Sequence, residues 1–427
     1  MVRPPTPSDD GCRRAGTASR RLFPRPVLND MTIPVDDYRW QSSLPSPPPT
    51  VSTAHRHHCP PSPRGTRRPP PAALPRDPPV TWKDTPMKLG YTTGYWSSGP
   101  PEGVTAAIAE ADRLGFDSIW SAEAYGSDCL TPLAWWGAST SRVRLGTNIM
   151  QLAARTPTAA AMAALTLDHL SGGRFVLGLG VSGPQVVEGW YGQPYPRPLA
   201  RTREYVEIVR AVLARSGPVE HDGDFFQLPH RGGTGLGKPL KSTVHPLRAD
   251  IPIFLAAEGP KNVALAAEIA DGWLPLFFSP KADSFYRAAL AEGFARPGAR
   301  RDLDAFEVAA TVPIVVHDDI EWAADRLRPF VALYVGGMGA KSANFHRDVI
   351  ARLGYEKECD VITEAYLAGD KKRAAAAVPT ALVEDIALIG PVAKVRDELQ
   401  RWRETVVTTL LVQGNAQQLR QIAELVG

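Results

Sequence analysis

Between residues 87 and 427, eight short apolar runs alternate with patterns of helical period, and this alternation restricts the possible folds more than any other feature of the chain. The runs cover 87–92, 117–122, 143–150, 174–181, 251–257, 272–277, 306–316 and 406–412. Helical patterns fall at 104–114, 158–170, 203–214, 261–270 and 392–403; in the first, Val104, Ile108, Ala111 and Leu114 share one face. Some runs, such as Ile251-Pro-Ile-Phe-Leu-Ala-Ala257, are apolar on both faces, as parallel strands covered by helices must be. Eight β/α units in about 340 residues predict an α/β fold, a closed (β/α)8 TIM barrel rather than an open sheet. Two stretches are longer than connections need. They read as insertions, 218–250 before strand 5 and the largely helical 318–389 between strands 7 and 8.

The first 86 residues are a different material. They hold 20 of the 41 prolines, with 13 Lys/Arg against 7 Asp/Glu. Runs such as Pro45-Ser-Pro-Pro-Pro49 can neither donate a ladder of hydrogen bonds nor fill a core. Residues 1–86 are therefore expected to form a disordered Pro/Arg-rich N-terminal extension, and 87–427 the folded domain. Translation starting at Met87, where the first strand begins, is a further expectation. The remaining 341 residues carry 35 basic and 38 acidic side chains, so the whole-chain net charge of +3 comes from the extension. That balance gives no case for a nucleic-acid partner. The extension contains no long apolar stretch of the kind a membrane span or secretory signal needs. Cysteines 12, 59, 129 and 359 show no pairing or metal spacing and suit a reducing, cytoplasmic location.

Residues 171–192 change from helix to strand to glycine-rich loop within a few positions. A Gly172-Gly173 pair ends the helix, and small residues at Val181-Ser182-Gly183-Pro184 let main-chain amides approach a ligand. Gly178-x-Gly180-x-x-Gly183 also matches the dinucleotide fingerprint, with Glu204 about twenty residues on. Pro184 and the position of the segment in mid-fold argue against that reading. Gly232-x-x-x-x-Gly237-Lys238 copies the start of a phosphate-binding loop, but Pro239 replaces the hydroxyl residue, and a flexible loop is expected.

In a barrel, chemistry sits where strands end. Those positions hold residues 91–96, 123–128, 147–151, 182–185 and 258–262. Of the six histidines beyond residue 86, only His317 falls at a strand end, so neither a metal centre nor a serine–histidine nucleophile is expected. Glycines, small polar residues and aromatics remain, a lining suited to a large planar cofactor bearing a phosphate. Gly259-Pro260 before Lys261 reads either as a phosphate site or as an ordinary helix start. Glu123 reads either as a proton donor or ligand to a polar ring edge, or as half of a structural ion pair.

Gly115-Phe-Asp-Ser-Ile-Trp120, Arg142-Val-Arg-Leu-Gly-Thr147, Thr166-Leu-Asp-His-Leu-Ser-Gly-Gly-Arg-Phe175 and Ala270-Asp-Gly-Trp273 resemble the luciferase-like class of (β/α)8 oxidoreductases. Ala122-Glu-Ala-Tyr-Gly-Ser-Asp128, Ser182-Gly-Pro-Gln-Val-Val-Glu-Gly-Trp190 and Gly235-Leu-Gly-Lys-Pro239 are similar to its branch that uses the deazaflavin coenzyme F420, related to methylenetetrahydromethanopterin reductase. The resemblance covers 87–427. It implies a deazaflavin lying across the strand C-termini, on a strand-3 bulge with a non-prolyl cis peptide at Asn148-Ile149. The implied cofactor-binding residues are Thr147, Asn148, Ile149, Ser182, Gly183, Gln185, Glu258, Gly259 and Lys261. Where many relatives that oxidise alcohols carry Asp-His after strand 2, this chain reads Glu123-Ala124. Without that imidazole the implied reaction is hydride addition to a C=C or C=N bond of a small organic substrate, with Glu123 as the catalytic residue or bound water as the proton source. The class also implies two alternatives: an FMN-dependent monooxygenase acting on paired donors with dioxygen, and a non-catalytic deazaflavin-binding protein. Fold analogy adds a homodimer, for which the Ala-rich face at 159–164 permits close packing.

Overall fold

Eight parallel strands close into a barrel: β1 Lys88–Thr92, β2 Ser118–Ser121, β3 Arg144–Thr147, β4 Phe175–Gly180, β5 Ile253–Ala256, β6 Gly272–Leu274, β7 Glu307–Thr311 and β8 Thr409–Val412. The computed structural model describes residues 86–427 apart from 249 and 340–343, so the extension expected at 1–86 lies almost wholly outside the described residues. Each strand pairs with its neighbours in chain order, β8 pairs with β1, and Leu145 opposite Phe175 joins β3 to β4.

The barrel interior is packed solid. Trp120, Val176, Phe254, Leu274, Ala309 and Leu411 point inward and form one buried cluster. Trp120 sets the layout: its indole lies 5.7 Å from the Phe254 ring and its Nε1 donates to Ser118 Oγ at 2.9 Å. On the adjacent strand a Cβ at Gly146 would overlap that indole, so the largest side chain of the layer faces a missing one. With the interior filled, a ligand has room only above the strand C-termini.

Helices cover the outside as the sequence predicts. Helix Pro157–Ser171 starts with Thr156 accepting from Ala159 N, places proline in its first turn and stops at Gly172, where φ is +68°. Most of the alanine run in this helix faces the core, although Ala159 is exposed. Ala160, Ala161 and Ala164 are fully buried, while Met162 and Leu170 face outward.

The N-terminal end of the barrel is held by ions. Arg144 pairs with Asp117 and with Glu307 at 2.6 Å, and Lys88 reaches Glu307 at 3.4 Å. Asp271 accepts from Ile253 N at 2.9 Å, from Arg210 at 2.9 Å and from Arg301 at 2.9 Å. Burial disfavours its charge, but Arg210 and the Ile253 amide outweigh that and hold the carboxyl below its ordinary range.

The run at 306–316 is not one strand. Pro313 lacks the amide a ladder needs, so β7 ends at Thr311. Ile314–Val316 then leaves the barrel and pairs with Leu388–Gly390, closing the base of the second insertion. The helices between them bury a separate core around Val335, Ile350, Ile362 and Leu382, into which Phe277 inserts from the end of β6.

Candidate active site

The strand-3 bulge is visible in the register. Gly146 lies opposite Val176, and Met150 lies opposite Leu179, so four steps along one strand match three along the other. The extra residue falls at Asn148-Ile149, whose peptide bond is cis. Thr147 repairs the interrupted ladder with its side chain: Oγ1 accepts from Gly178 N at 2.9 Å and donates to Gly178 O at 2.7 Å. The jog pushes the strand-3 backbone toward β4. A Cβ at Gly178 would overlap the Thr147 carbonyl oxygen, and one at Gly180 would sit 2.8 Å from Ile149 Cδ1. The Gly-x-Gly pattern that mimics a dinucleotide fingerprint thus exists to accommodate this bulge. Glu204, its apparent ribose partner, accepts the amides of Asp224, Phe225 and Phe226 and holds a surface hairpin.

Glu123, two residues past β2, is 6% exposed and fully engaged. It accepts from Gln151 N at 2.9 Å and from Arg155 Nη1 at 2.8 and 3.0 Å. Gln151 Nε2 donates to the Glu123 and Ala124 carbonyls, each at 3.2 Å. The glutamate therefore ties the β2 loop to the bulge. Arg155 is half-buried, which disfavours its charge, but its hydrogen bonds to Glu123 hold it above its ordinary range. Next door, burial and the Glu123 carboxylate push the Cys129 thiol well up, which removes it as a thiolate nucleophile.

The β4 and β5 loops lie side by side, because Leu179 pairs with Leu255 and both chains leave the sheet just beyond. Ser182 takes φ +58° and its carbonyl accepts from Tyr195 Oη at 3.0 Å. Gly183 precedes the short helix Pro184–Gly189, with Gln185 exposed on it. Glu258 and Gly259 precede helix Pro260–Ile269, whose Lys261 is exposed and makes no ion pair among the described residues. All ten residues singled out from the sequence thus fall on one arc of the rim, from β2 to β5.

The facing arc was not legible in the sequence. Tyr334, Phe277 and His346 pack together there, and Tyr334 Oη donates to Tyr95 Oη, in the β1 loop, at 3.1 Å. Arg155 was also missed; its one signal was a cation just beyond the third strand. Six buried side-chain polar atoms lack a hydrogen-bond partner among the described residues, and four of them, on Trp96, Gln151, Glu258 and His346, belong to this end of the barrel. Buried polar groups are normally paired, and this end of the barrel concentrates the exceptions.

A family model, luciferase-like monooxygenase, matches residues 86–409. The chain is 57% identical over 343 residues to a Mycobacterium tuberculosis protein provisionally named coenzyme F420-dependent oxidoreductase Rv3520c, a match covering 80% of this chain and 99% of that one. It is 29% identical to the 5,10-methylenetetrahydromethanopterin reductase of Archaeoglobus fulgidus, over 70% of this chain and 86% of the relative. Among solved structures, the coenzyme F420-dependent tetrahydromethanopterin reductase of Methanopyrus kandleri shares the fold with a TM-score of 0.66 at 24% identity, covering 80% and 97% of the two chains. A model that spans most of the described chain, a relative matched along almost its entire length and a closed eight-stranded barrel agree: this chain belongs to the luciferase-like monooxygenase family.

Proposed function

We propose that the protein is an oxidoreductase that binds coenzyme F420 across the β2–β5 arc and reduces a C=C or C=N bond of a small organic substrate. The observation that carries this reading is the concentration of unpartnered buried polar atoms around a bulged strand end. The name of the M. tuberculosis relative supplies the cofactor class. The residues present fit such a group. The Asn148-Ile149 backbone and the Ile149 side chain offer a support for a planar ring. The loops carrying Ser182, Gly183, Gln185, Glu258 and Gly259 offer backbone amides and side-chain groups to a polar tail, and Lys261 stands free to pair with a phosphate.

When bound, the deazaflavin supplies the hydride. The chain's own residues then orient the acceptor, exclude water and manage one proton. Glu123 serves by position in this scheme: with Arg155 and the Gln151 amide it locks the β2 loop onto the bulge, so the ring's support is rigid before it arrives.

Titration of the full-length chain with coenzyme F420, followed by fluorescence, should give saturable binding at roughly micromolar concentrations, about −8 kcal/mol. No binding at that level, with FMN bound and dioxygen consumed instead, would replace this reading by a monooxygenase. Binding without hydride exchange to any acceptor would point to a carrier.

We also propose that two copies associate through the helices after β2 and β3. Trp135, Met162 and Leu170 are 79%, 61% and 74% exposed on helices Leu130–Gly137 and Pro157–Ser171, which pack against each other, and a lone barrel gains nothing by presenting them to water. Light scattering should report a dimer, and Trp135→Asp combined with Met162→Arg should yield monomer. Monomeric wild-type protein would remove the proposal.

A further inference from the structure

The rim arc from β2 to β5 contains no imidazole, yet the structure brings one to the mouth from the second insertion. His346 lies in the first turn of helix Phe345–Ile350. Asn344 caps that helix, accepting from His346 N at 3.0 Å and Arg347 N at 3.1 Å. The same side chain donates to the Tyr334 and Val335 carbonyls at 2.9 and 2.8 Å, so one asparagine fixes the histidine beside Tyr334. The imidazole then meets the Tyr334 ring edge-on at 4.7 Å and the Phe277 ring at 6.2 Å. Its Nδ1 lies 2.8 Å from Glu258 Oε1, on the loop that follows β5. Arg352 holds that loop by donating to the Glu258 carbonyl at 3.0 Å. Residues from the ends of β5 and β6 thus converge on His346, and Tyr334 links it to the β1 loop through Tyr95.

This pair differs from the ion pairs elsewhere in the fold. At the N-terminal end of the barrel, Glu307 and Asp271 use both carboxylate oxygens in aligned hydrogen bonds. Here the two atoms are close but not aligned, and both His346 Nδ1 and Glu258 Oε2 are buried without a hydrogen-bond partner among the described residues. An acid–base pair that tightens only around its substrate has this geometry. His346 Nε2 makes no hydrogen bond among the described residues and is not one of the enclosed atoms.

We propose that His346, oriented by Glu258, is the catalytic acid of this enzyme. The inference rests on the hydride-transfer reading above. As hydride reaches one atom of the C=C or C=N bond, the π pair moves to the other atom, which takes the proton from Nε2. The acid is the imidazolium, its Nδ1–H facing Glu258; it keeps the Nε2–H electron pair, becomes neutral imidazole and is reprotonated from water, while the reduced coenzyme is the two-electron donor. The histidine absent after β2 is thereby replaced from the opposite side of the mouth. Among the described residues, the titratable and charged groups around it are Glu258, Tyr334, Tyr95 and Tyr125 behind Tyr334, Arg352 with Tyr286 beside it, and Arg347 and Asp348 on its own helix.

The test uses the full-length wild type, His346→Gln, Glu258→Gln and, as a control, His317→Gln, whose ring stacks on Trp322 at the surface. Fluorescence titration should show coenzyme F420 binding to wild type and His346→Gln within about threefold, as expected of a residue that acts on the substrate proton. Acylation of His346 by diethyl pyrocarbonate, followed by peptide mass, should slow by about tenfold or more when the coenzyme is bound, because its ring covers the same mouth. Single-turnover oxidation of the reduced coenzyme by cyclohexenone should fall by about 10²- to 10⁴-fold in His346→Gln, with loss of the wild-type pH profile, by about tenfold in Glu258→Gln, and not at all in His317→Gln. A bound coenzyme that leaves the acylation rate unchanged, or a His346→Gln protein that turns over like wild type, overturns the assignment. Failure of wild type to bind the coenzyme overturns the hydride-transfer reading instead. If wild type binds it but does not reduce cyclohexenone, the acylation result alone decides.

Discussion

Gly178→Ala is expected to destabilise the fold by about 3 kcal/mol and to abolish coenzyme binding with it. Glycine inside a strand is ordinarily a cost, and alanine there usually gains roughly 0.5–1 kcal/mol from the unfolded chain's lost freedom. Here the opposite term wins. The added Cβ would overlap the Thr147 carbonyl oxygen, a backbone atom that cannot rotate away, and Leu274 Cδ1 lies 2.9 Å off on the other side. Overpacking of this kind typically costs about 1–3 kcal/mol, occasionally more, and relief requires moving the bulge itself. The Asn148-Ile149 segment would shift with it, so binding and stability should fall together. Urea unfolding with a coenzyme titration measures both. Gly259→Ala is the control for stability: φ is −80° and nothing lies within 4 Å of the new methyl, so its midpoint should barely move. A Gly178→Ala protein as stable as wild type would show that the bulge is soft and supports nothing.

Asp168→Ala should cost about 3–5 kcal/mol while sparing the binding site. The Asp168 side chain is 1% exposed and sits at the opposite end of the barrel from the site. It accepts from Arg248 Nε at 3.0 and 3.2 Å, from Arg248 Nη2 at 2.7 Å and from Phe175 N at 3.3 Å. Removing it strands the Arg248 guanidinium, although that group is one-third exposed and can recover some hydration, which favours the lower end of the range. Asp168→Ala combined with Arg248→Leu should recover part of the loss, since no unpaired ion remains. Thermal unfolding of wild type, Asp168→Ala, Arg248→Leu and the double variant gives the coupling. The affinity of the folded fraction for the coenzyme should stay near wild type, and a large drop would mean that this pair reaches the site after all.

These two outcomes bear on what the recurring motifs of the chain encode. In Thr166-Leu-Asp-His-Leu-Ser-Gly-Gly-Arg-Phe175, Asp168 holds Arg248, the glycines end a helix, and Arg174 donates to the carbonyls of Val143 at 2.6 Å and Ser171 at 2.8 Å. In Ala270-Asp-Gly-Trp273, Asp271 gathers arginines, Gly272 leaves room for Phe254, and Trp273 Nε1 donates to the Ala257 carbonyl at 2.8 Å. In the segments around Asp117 and Arg144 the two charges pair with each other. The residues that make the family recognisable are thus mostly barrel joinery. They were legible because each does its work within one β/α unit or between adjacent ones.

The eight barrel strands and the helices read at 104–114, 158–170, 203–214, 261–270 and 392–403 follow from the periodicity of the chain alone, although the run at 306–316 breaks at Pro313 and the bulge at Asn148-Ile149 came only through the resemblance. Alternation of period is a local property of the backbone, set before anything distant is in place, whereas the need for a missing Cβ at Gly178 arises only once Thr147 of the neighbouring strand packs against it. Partner choice is different. Any of several carboxylates could have met Arg155, and any of six histidines could have reached the mouth; closing the barrel and folding the second insertion on its own core selected Glu123 for one and placed His346 against Glu258. Such contacts depend on where rigid elements bring side chains from remote parts of the chain, and that placement is decided only when the whole core packs.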